Sequence, residues 1–273
     1  TAVSGFTVEY RVDGGVSWSA SPVIPTTPGC YSIQARYVLS AACGSIVAGT
    51  ISPCLSNTVN VVIFPAAPAI ITPANTCASA FTLPTVSVVA GFTVQYSIDG
   101  GLSWSASPVI STTAGCYSIQ ARYVLSSACG SIAAGTISPC LSITVNVVIF
   151  PVAPVITAPA NACNAAFTLP TVTAVTGFTV QYSIDGGAYS STPIVPSTAG
   201  CHTVVAEYFL TSACGSTTTG TAGLGSCGVS NTVSVVIFPA TPVLTAPANT
   251  CNAAFILPTV SAVSGFTVQY SID

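Results

Sequence analysis

Apolar and polar residues alternate strictly wherever the chain reads as extended. Phe92, Val94, Tyr96 and Ile98 fall on one side, with Thr93, Gln95 and Ser97 on the other. A period of two puts the two sets on opposite faces of a β-strand. Tyr117, Ile119, Ala121, Tyr123 and Leu125 form a second inward set, opposed by Ser118, Gln120 and Arg122. Val145, Val147 and Ile149 form a third, in a strand that stops at Pro151. No stretch has a helical period, and Thr, Val, Ser and Ile dominate throughout. Seven strands are expected between the seams described below, near 68–73, 79–86, 92–98, 102–106, 108–111, 117–125 and 143–150. Seven short strands separated by turn signals predict an all-β, immunoglobulin- or fibronectin-III-like sandwich.

The pattern recurs. Gly5-Phe6-Thr7-Val8 returns at Gly91, Gly177 and Gly265, at spacings of 86, 86 and 88 residues. The first two copies agree at roughly three quarters of positions. A fixed period of this length is the mark of a tandem array. Thr1 corresponds to Ser87, Thr173 and Ser261, and Asp273 to Asp13, Asp99 and Asp185, so both ends are expected to fall inside a repeat. Pro65–Pro68, Pro151–Pro154 and Pro239–Pro242 mark the seams. Proline fixes φ and stiffens a short connection, which predicts a semi-rigid string of modules. The expected domains are a partial repeat over 1–65, whole repeats over 66–151 and 152–239, and a partial repeat over 240–273. Length changes between copies, one residue lost between Gly187 and Cys201 and three gained between Cys214 and Val233, fall where loops are expected.

Composition narrows the function. Charged residues are 3% of the chain against 51% hydrophobic, and mean hydropathy is +0.78. The apolar runs are nevertheless short and broken by Pro, Thr or Asn, so no spanning helix of roughly 20 residues can form. Three basic residues and a net charge of −3 exclude nucleic-acid binding, which needs Lys and Arg to neutralise phosphates. Every Asp lies in one turn, as in Asp99-Gly100-Gly101, where Gly accepts the positive φ of a tight hairpin. One carboxylate per turn is too few for a calcium site.

The 12 cysteines fall four to a period. Their spacings do not match the close Cys pairs of zinc sites, so disulfides and an extracellular location are expected. Cys77 and Cys116 should lie at the same end of the sandwich and pair, while Cys129 and Cys140 share a loop at the other end and pair locally. The same logic predicts Cys163–Cys201, Cys214–Cys227 and Cys43–Cys54, and leaves Cys30 and Cys251 without partners in these 273 residues.

Nothing in the sequence points to catalysis, a cofactor or a metal. His202, the only histidine, stands where the other repeats have Tyr31 and Tyr117, which reads as a structural substitution. Glu9 and Glu207 are likewise single-copy, at places held by Gln95 and Arg122 in the second repeat. Trp18 and Trp104 follow the Asp-Gly-Gly turn, with Tyr189 in the third copy; they read as packing residues first and as candidate sugar-stacking residues second. No N-x-[ST] sequon occurs, so any glycan would be O-linked.

The run Tyr96-Ser97-Ile98-Asp99-Gly100-Gly101 through Trp104, followed by Ser-Thr-Thr-Ala-Gly-Cys-Tyr-Ser-Ile to Ile119, resembles the repeats of giant Bacteroidetes cell-surface adhesins of the SprB gliding-motility type. The resemblance covers about a third of each repeat, and the Cys-bearing loop at 126–142 lies outside it. It implies export by type IX secretion, attachment at the outer membrane of a Gram-negative cell, and a role in adhesion or gliding. The expected function is therefore a non-enzymatic stalk segment whose partners are neighbouring repeats of its own chain. Two alternatives stand beside it: a filament subunit completed by strand donation between like chains, and a carbohydrate-binding module taking surface glycans on Trp18 and Trp104.

Overall fold

The computed structural model describes residues 3–272. Thr1 and Asp273, matched above to residues of the other repeats, lie outside the described residues. The first repeat has β1 (Phe6–Val12), β2 (Gly29–Leu39), β3 (Ile51–Leu55) and β4 (Val59–Ile63). The second has β5 (Thr76–Cys77), β6 (Phe92–Ser97), β7 (Gly115–Leu125), β8 (Ile137–Leu141) and β9 (Val145–Phe150). The third has β10 (Ala162–Cys163), β11 (Phe178–Ile184), β12 (Gly200–Leu210), a 3-10 turn at Gly225–Cys227 and β13 (Val233–Phe238).

The fold is all-β, repeated and disulfide-stapled. The 11-residue strand is the hub of each sheet. On one side β2 pairs with β1, from Phe6↔Leu39 to Val12↔Ile33. On the other side its first half pairs with β4 and its second half with β3. The third repeat runs in the order β10-β13-β12-β11, with the two-residue β10 parallel to β13.

The strands expected near 68–73, 79–86, 102–106 and 108–111 carry no ladder; apart from a single bridge from Tyr96 to Ser105, these stretches are extended chain. In 68–73, 79–86 and 108–111 proline is the physical reason: Pro68, Pro73, Pro84 and Pro108 cannot donate to a neighbour. The sandwich's second layer is this extended chain, held by its apolar side chains. Ile156 and Phe167 are buried against Val204, Ala206, Val233, Val235 and Ile237, and Phe81 lies 5.8 Å from the Tyr117 ring. Polar anchors fix it. The Tyr96 hydroxyl donates to the Pro84 carbonyl at 2.9 Å, and Tyr182 and Tyr270 repeat the bond to Pro170 and Pro258 at 2.7 Å.

The inward sets hold at Phe92, Ile119, Ala121, Tyr123, Leu125, Val145, Val147 and Ile149, all buried. Ser97 departs from its outward assignment: it is buried because its hydroxyl bonds the Asp99 carboxylate and accepts from the Gly101 amide. Val148 and Phe150 also depart, being buried on the face where alternation puts solvent.

Two compact units divide the chain. One takes in residues up to Ala74 with Phe81–Ser111 and Tyr117–Val147; the other takes in Asn75–Ala80, Thr112–Cys116 and the chain from Val148 onward. In the first, Phe92, Tyr123, Leu125 and Cys129 of the second repeat are buried with Val62 and Phe64 of the first. In the second, Phe178, Tyr208, Leu210, Cys214 and Cys227 of the third repeat cover Val148 and Phe150 of the second.

Candidate functional sites: the stapled junctions and the aromatic outer face

Each junction is built the same way. Phe64, which follows β4, and Phe150, which ends β9, each set a ring against the start of β6 or β11 in the next repeat, at Phe92 (5.5 Å) or Phe178 (5.8 Å). The long strand then runs into a tight turn that begins with a cysteine. Cys129 bridges to Ile132 and Cys214 to Thr217 through paired amide–carbonyl bonds of 2.8–3.0 Å. Gly130 follows at φ +56°, and a Cβ there would run into the Asn60 carboxamide. This turn delivers Cys129 to Cys30 and Cys214 to Cys116, with Cα–Cα distances of 5.6 and 5.8 Å. A third bond joins Cys77 to Cys227 at 5.6 Å. All three bonds connect one repeat to the next.

These pairings replace the ones expected within repeats. Cys77 and Cys116 do share an end, but β9 lies between β5 and β7 in the sheet. Two strand spacings of about 4.8 Å each exceed what a disulfide spans. Cys163 and Cys201 are kept apart in the same way by β13. Cys140 is held on β8, its amide bonded to the Ser138 hydroxyl at 3.1 Å, while Cys129 is drawn into the junction. Cys214 and Cys227 are each bonded to a cysteine of the preceding repeat instead of to each other. Cys30, expected to be alone, is bonded; Cys43, Cys54, Cys140, Cys163, Cys201 and Cys251 are free thiols. Asn75 was not anticipated either: its Oδ1 accepts from the Val148 amide at 2.8 Å, and its Nδ2 donates to Thr217 Oγ1 in the cysteine turn at 3.1 Å.

The outer face of each sheet carries the chain's arginine and glutamate residues beside an aromatic side chain. The cross-strand pair is Glu9↔Arg36, Gln95↔Arg122 and Gln181↔Glu207 in successive repeats. Arg36 donates to Glu9 at 2.7 and 3.0 Å and lies 4.5 Å from the Trp18 ring centre, with Arg11 at 5.0 Å. Arg122 donates to Gln95 Oε1 at 2.9 and 3.2 Å and lies 4.2 Å from Trp104, whose Nε1 donates to the Gly101 carbonyl at 3.1 Å. Both indoles are half-buried against guanidinium groups, a cation–π arrangement. In the third repeat Tyr189 packs on Phe209 at 5.4 Å. Glu207 beside it is buried, which raises its pKa, while a hydrogen bond from Tyr189 lowers it.

His202 caps the third Asp-Gly-Gly turn. Its Nδ1 lies 2.7 Å from Asp185 Oδ2 and its Nε2 3.0 Å from the Thr198 carbonyl. The Asp185 carboxylate, with the Thr198 carbonyl, holds the imidazole pKa above its ordinary value. Burial works to raise the Asp185 pKa, but bonds from His202 and Thr203 and the imidazolium charge bring it below the usual carboxylate value. In the second repeat Asp99 serves its own turn: the Ser103 hydroxyl and amide, Ser97 and Leu102 hold it well below the usual carboxylate range. Among the described residues no group of three His, Cys, Asp or Glu side chains converges as a metal site. No described helix is long and apolar enough to cross a membrane.

No family model matches this chain, and no curated protein matches it. Among solved structures it is similar to SGBP-B of the Bacteroides ovatus mixed-linkage glucan utilization locus, in complex with a mixed-linkage heptasaccharide. The identity is 14% over 90% of this chain, with a TM-score of 0.21. The chain spans 63% of the length of that protein. It is also similar to Drosophila N-cadherin EC1-4, at 9% identity over 89% of this chain and 69% of the other, with a TM-score of 0.20.

Proposed function

We propose that this chain is a mechanical segment of an extracellular surface adhesion protein, in which disulfides between successive repeats carry tension from an anchor to a distal binding region. The observation that carries this reading is the repeated register of Cys30–Cys129 and Cys116–Cys214, each joining one repeat to the next. Such bonds belong to oxidising compartments outside the cytoplasm. A chain stapled across its junctions resists being pulled out repeat by repeat, whereas staples within a repeat would leave each seam unprotected. The proposal assigns no catalytic role. Type IX export, outer-membrane attachment and gliding belong to the same proposal through the adhesin resemblance.

The test is the mass of the native chain on a reducing, denaturing gel, probed with an antibody to the repeat. The expected result is a band of hundreds of kDa, a single covalent array. A band near 27.2 kDa would instead make this chain a separate subunit, and filament assembly would replace the stalk.

A further inference from the structure

Two of the chain's three basic residues converge on one side chain. Arg36 and Arg11 lie 4.5 and 5.0 Å from the Trp18 ring centre, on the outer face of β1 and β2. The backbone fixes the indole there, because Tyr10 and Ser19 exchange amide–carbonyl bonds of 2.8 and 3.0 Å beside it. Packing does not require both cations. In the second repeat a single guanidinium, Arg122, lies against Trp104. In the third, Tyr189 packs on Phe209, and an acid, Glu207, stands in the arginine's place. Arg11 itself stands where the other repeats have serine. Ser97 and Ser183 are buried and bond their own turns, through the Gly101 amide and the Gly187 carbonyl.

Arg11 is short of acceptors. It donates to Gln34 Oε1, a neutral group, while its Nε is buried with no hydrogen-bond partner among the described residues. Arg36, by contrast, gives two donors to Glu9. Asp13, two residues beyond Arg11, forms no ion pair with either arginine among the described residues. Two cations against the one Glu9 carboxylate leave this face with an excess of positive charge, in a chain whose net charge is −3. A charged donor without an acceptor costs free energy, and the planar guanidinium fork matches a carboxylate. Trp18 is half-buried, so part of the indole stays open to solvent. An aromatic ring in that position offers an apolar surface to the C–H face of a sugar.

We infer that the Arg11–Trp18–Arg36 face is a binding site for an acidic glycan built of uronic-acid sugars, with a sugar ring against the indole and its carboxylate on Arg11. The second repeat, whose one arginine already gives two donors to Gln95, holds such a sugar more weakly. The third repels it, because Glu207 replaces the cation. The inference does not rest on the stalk reading: the mass of the native chain decides that one, and sugar binding decides this one.

The test is a tryptophan-fluorescence titration of the full chain at low ionic strength, with tri-galacturonic acid and with neutral galactotriose. Trp104→Phe leaves Trp18 as the only indole, and Trp18→Phe leaves Trp104. The expected result is a saturable change at Trp18 with the acidic sugar alone, weakened by added salt. Arg11→Ser installs the residue that the other two repeats carry and should raise the dissociation constant roughly 10- to 100-fold. Arg11→Gln, which keeps a polar side chain without the charge, should do the same, with thermal unfolding scans checking that both variants fold. Equal binding of the neutral sugar, an unchanged constant in both Arg11 variants, or tighter binding at Trp104 than at Trp18 would overturn the site. So would the lack of any saturable change at Trp18.

Discussion

At the scale of single residues, the chain's few ionisable groups act on turns and sheet faces. His202 gives the clearest case, because Tyr31 and Tyr117 show what the position holds elsewhere. Its pKa is raised by Asp185, so its contribution is complete below the unfolded imidazole value and is lost as pH rises through the folded one. The Asp185 pKa is lowered, so its contribution is complete above the unfolded carboxylate value and is lost as pH falls through the folded one. The pair is therefore at full strength between about pH 4 and 6.5. His202→Tyr should narrow its stability gap to the parent chain on both sides of that window, as read by denaturant midpoints across pH. A gap independent of pH would mean the imidazole acts only by packing. The aromatic residues after the turn were legible as packing residues. Their arginine partners were not, because Arg122 and Trp104 are brought together only by the register of β6 on β7.

At the scale of elements, the hub strand and two of its three neighbours could be read from alternation because one face is buried and the other polar. The third, Ile137–Leu141 in the second repeat, lies in the stretch expected to be a loop. The remaining strands could not, since the prolines that punctuate 68–86 leave the hydrophobic pattern intact while removing the amides a ladder needs. Val147-Val148-Ile149-Phe150 held a further signal. Four apolar residues in a row, all buried, belong to a strand covered on both faces, and the second cover is the next repeat. Phe150→Ala should cost about 3–5 kcal/mol, as for buried aromatic residues elsewhere. Phe238→Ala, at a ring 45% exposed, should cost well under half of that. Equal losses in thermal or denaturant unfolding would mean that the junction contributes little to holding Phe150.

At the scale of the whole chain, four cysteines per period are compatible with staples inside repeats or between them, and periodicity alone does not choose. The sheet order chooses, because it sets an intervening strand between the cysteines that share an end. The resulting bonds interleave, which changes how the chain answers to force. From residue 30 to residue 227 the shortest covalent path crosses to Cys129, returns to Cys116, crosses to Cys214 and ends at Cys227. Only the stretches 116–129 and 214–227 then lie under tension. Pulled between residues 30 and 227 with its disulfides intact, the chain should extend to roughly 100 Å; once reduced, the full intervening chain should reach roughly 650–700 Å. Single-molecule pulling in the presence and absence of reductant measures the difference directly. Extension to roughly 300 Å without reductant would mean staples confined within repeats, because then the seams would open in turn and the array could not serve as a short, inextensible tether.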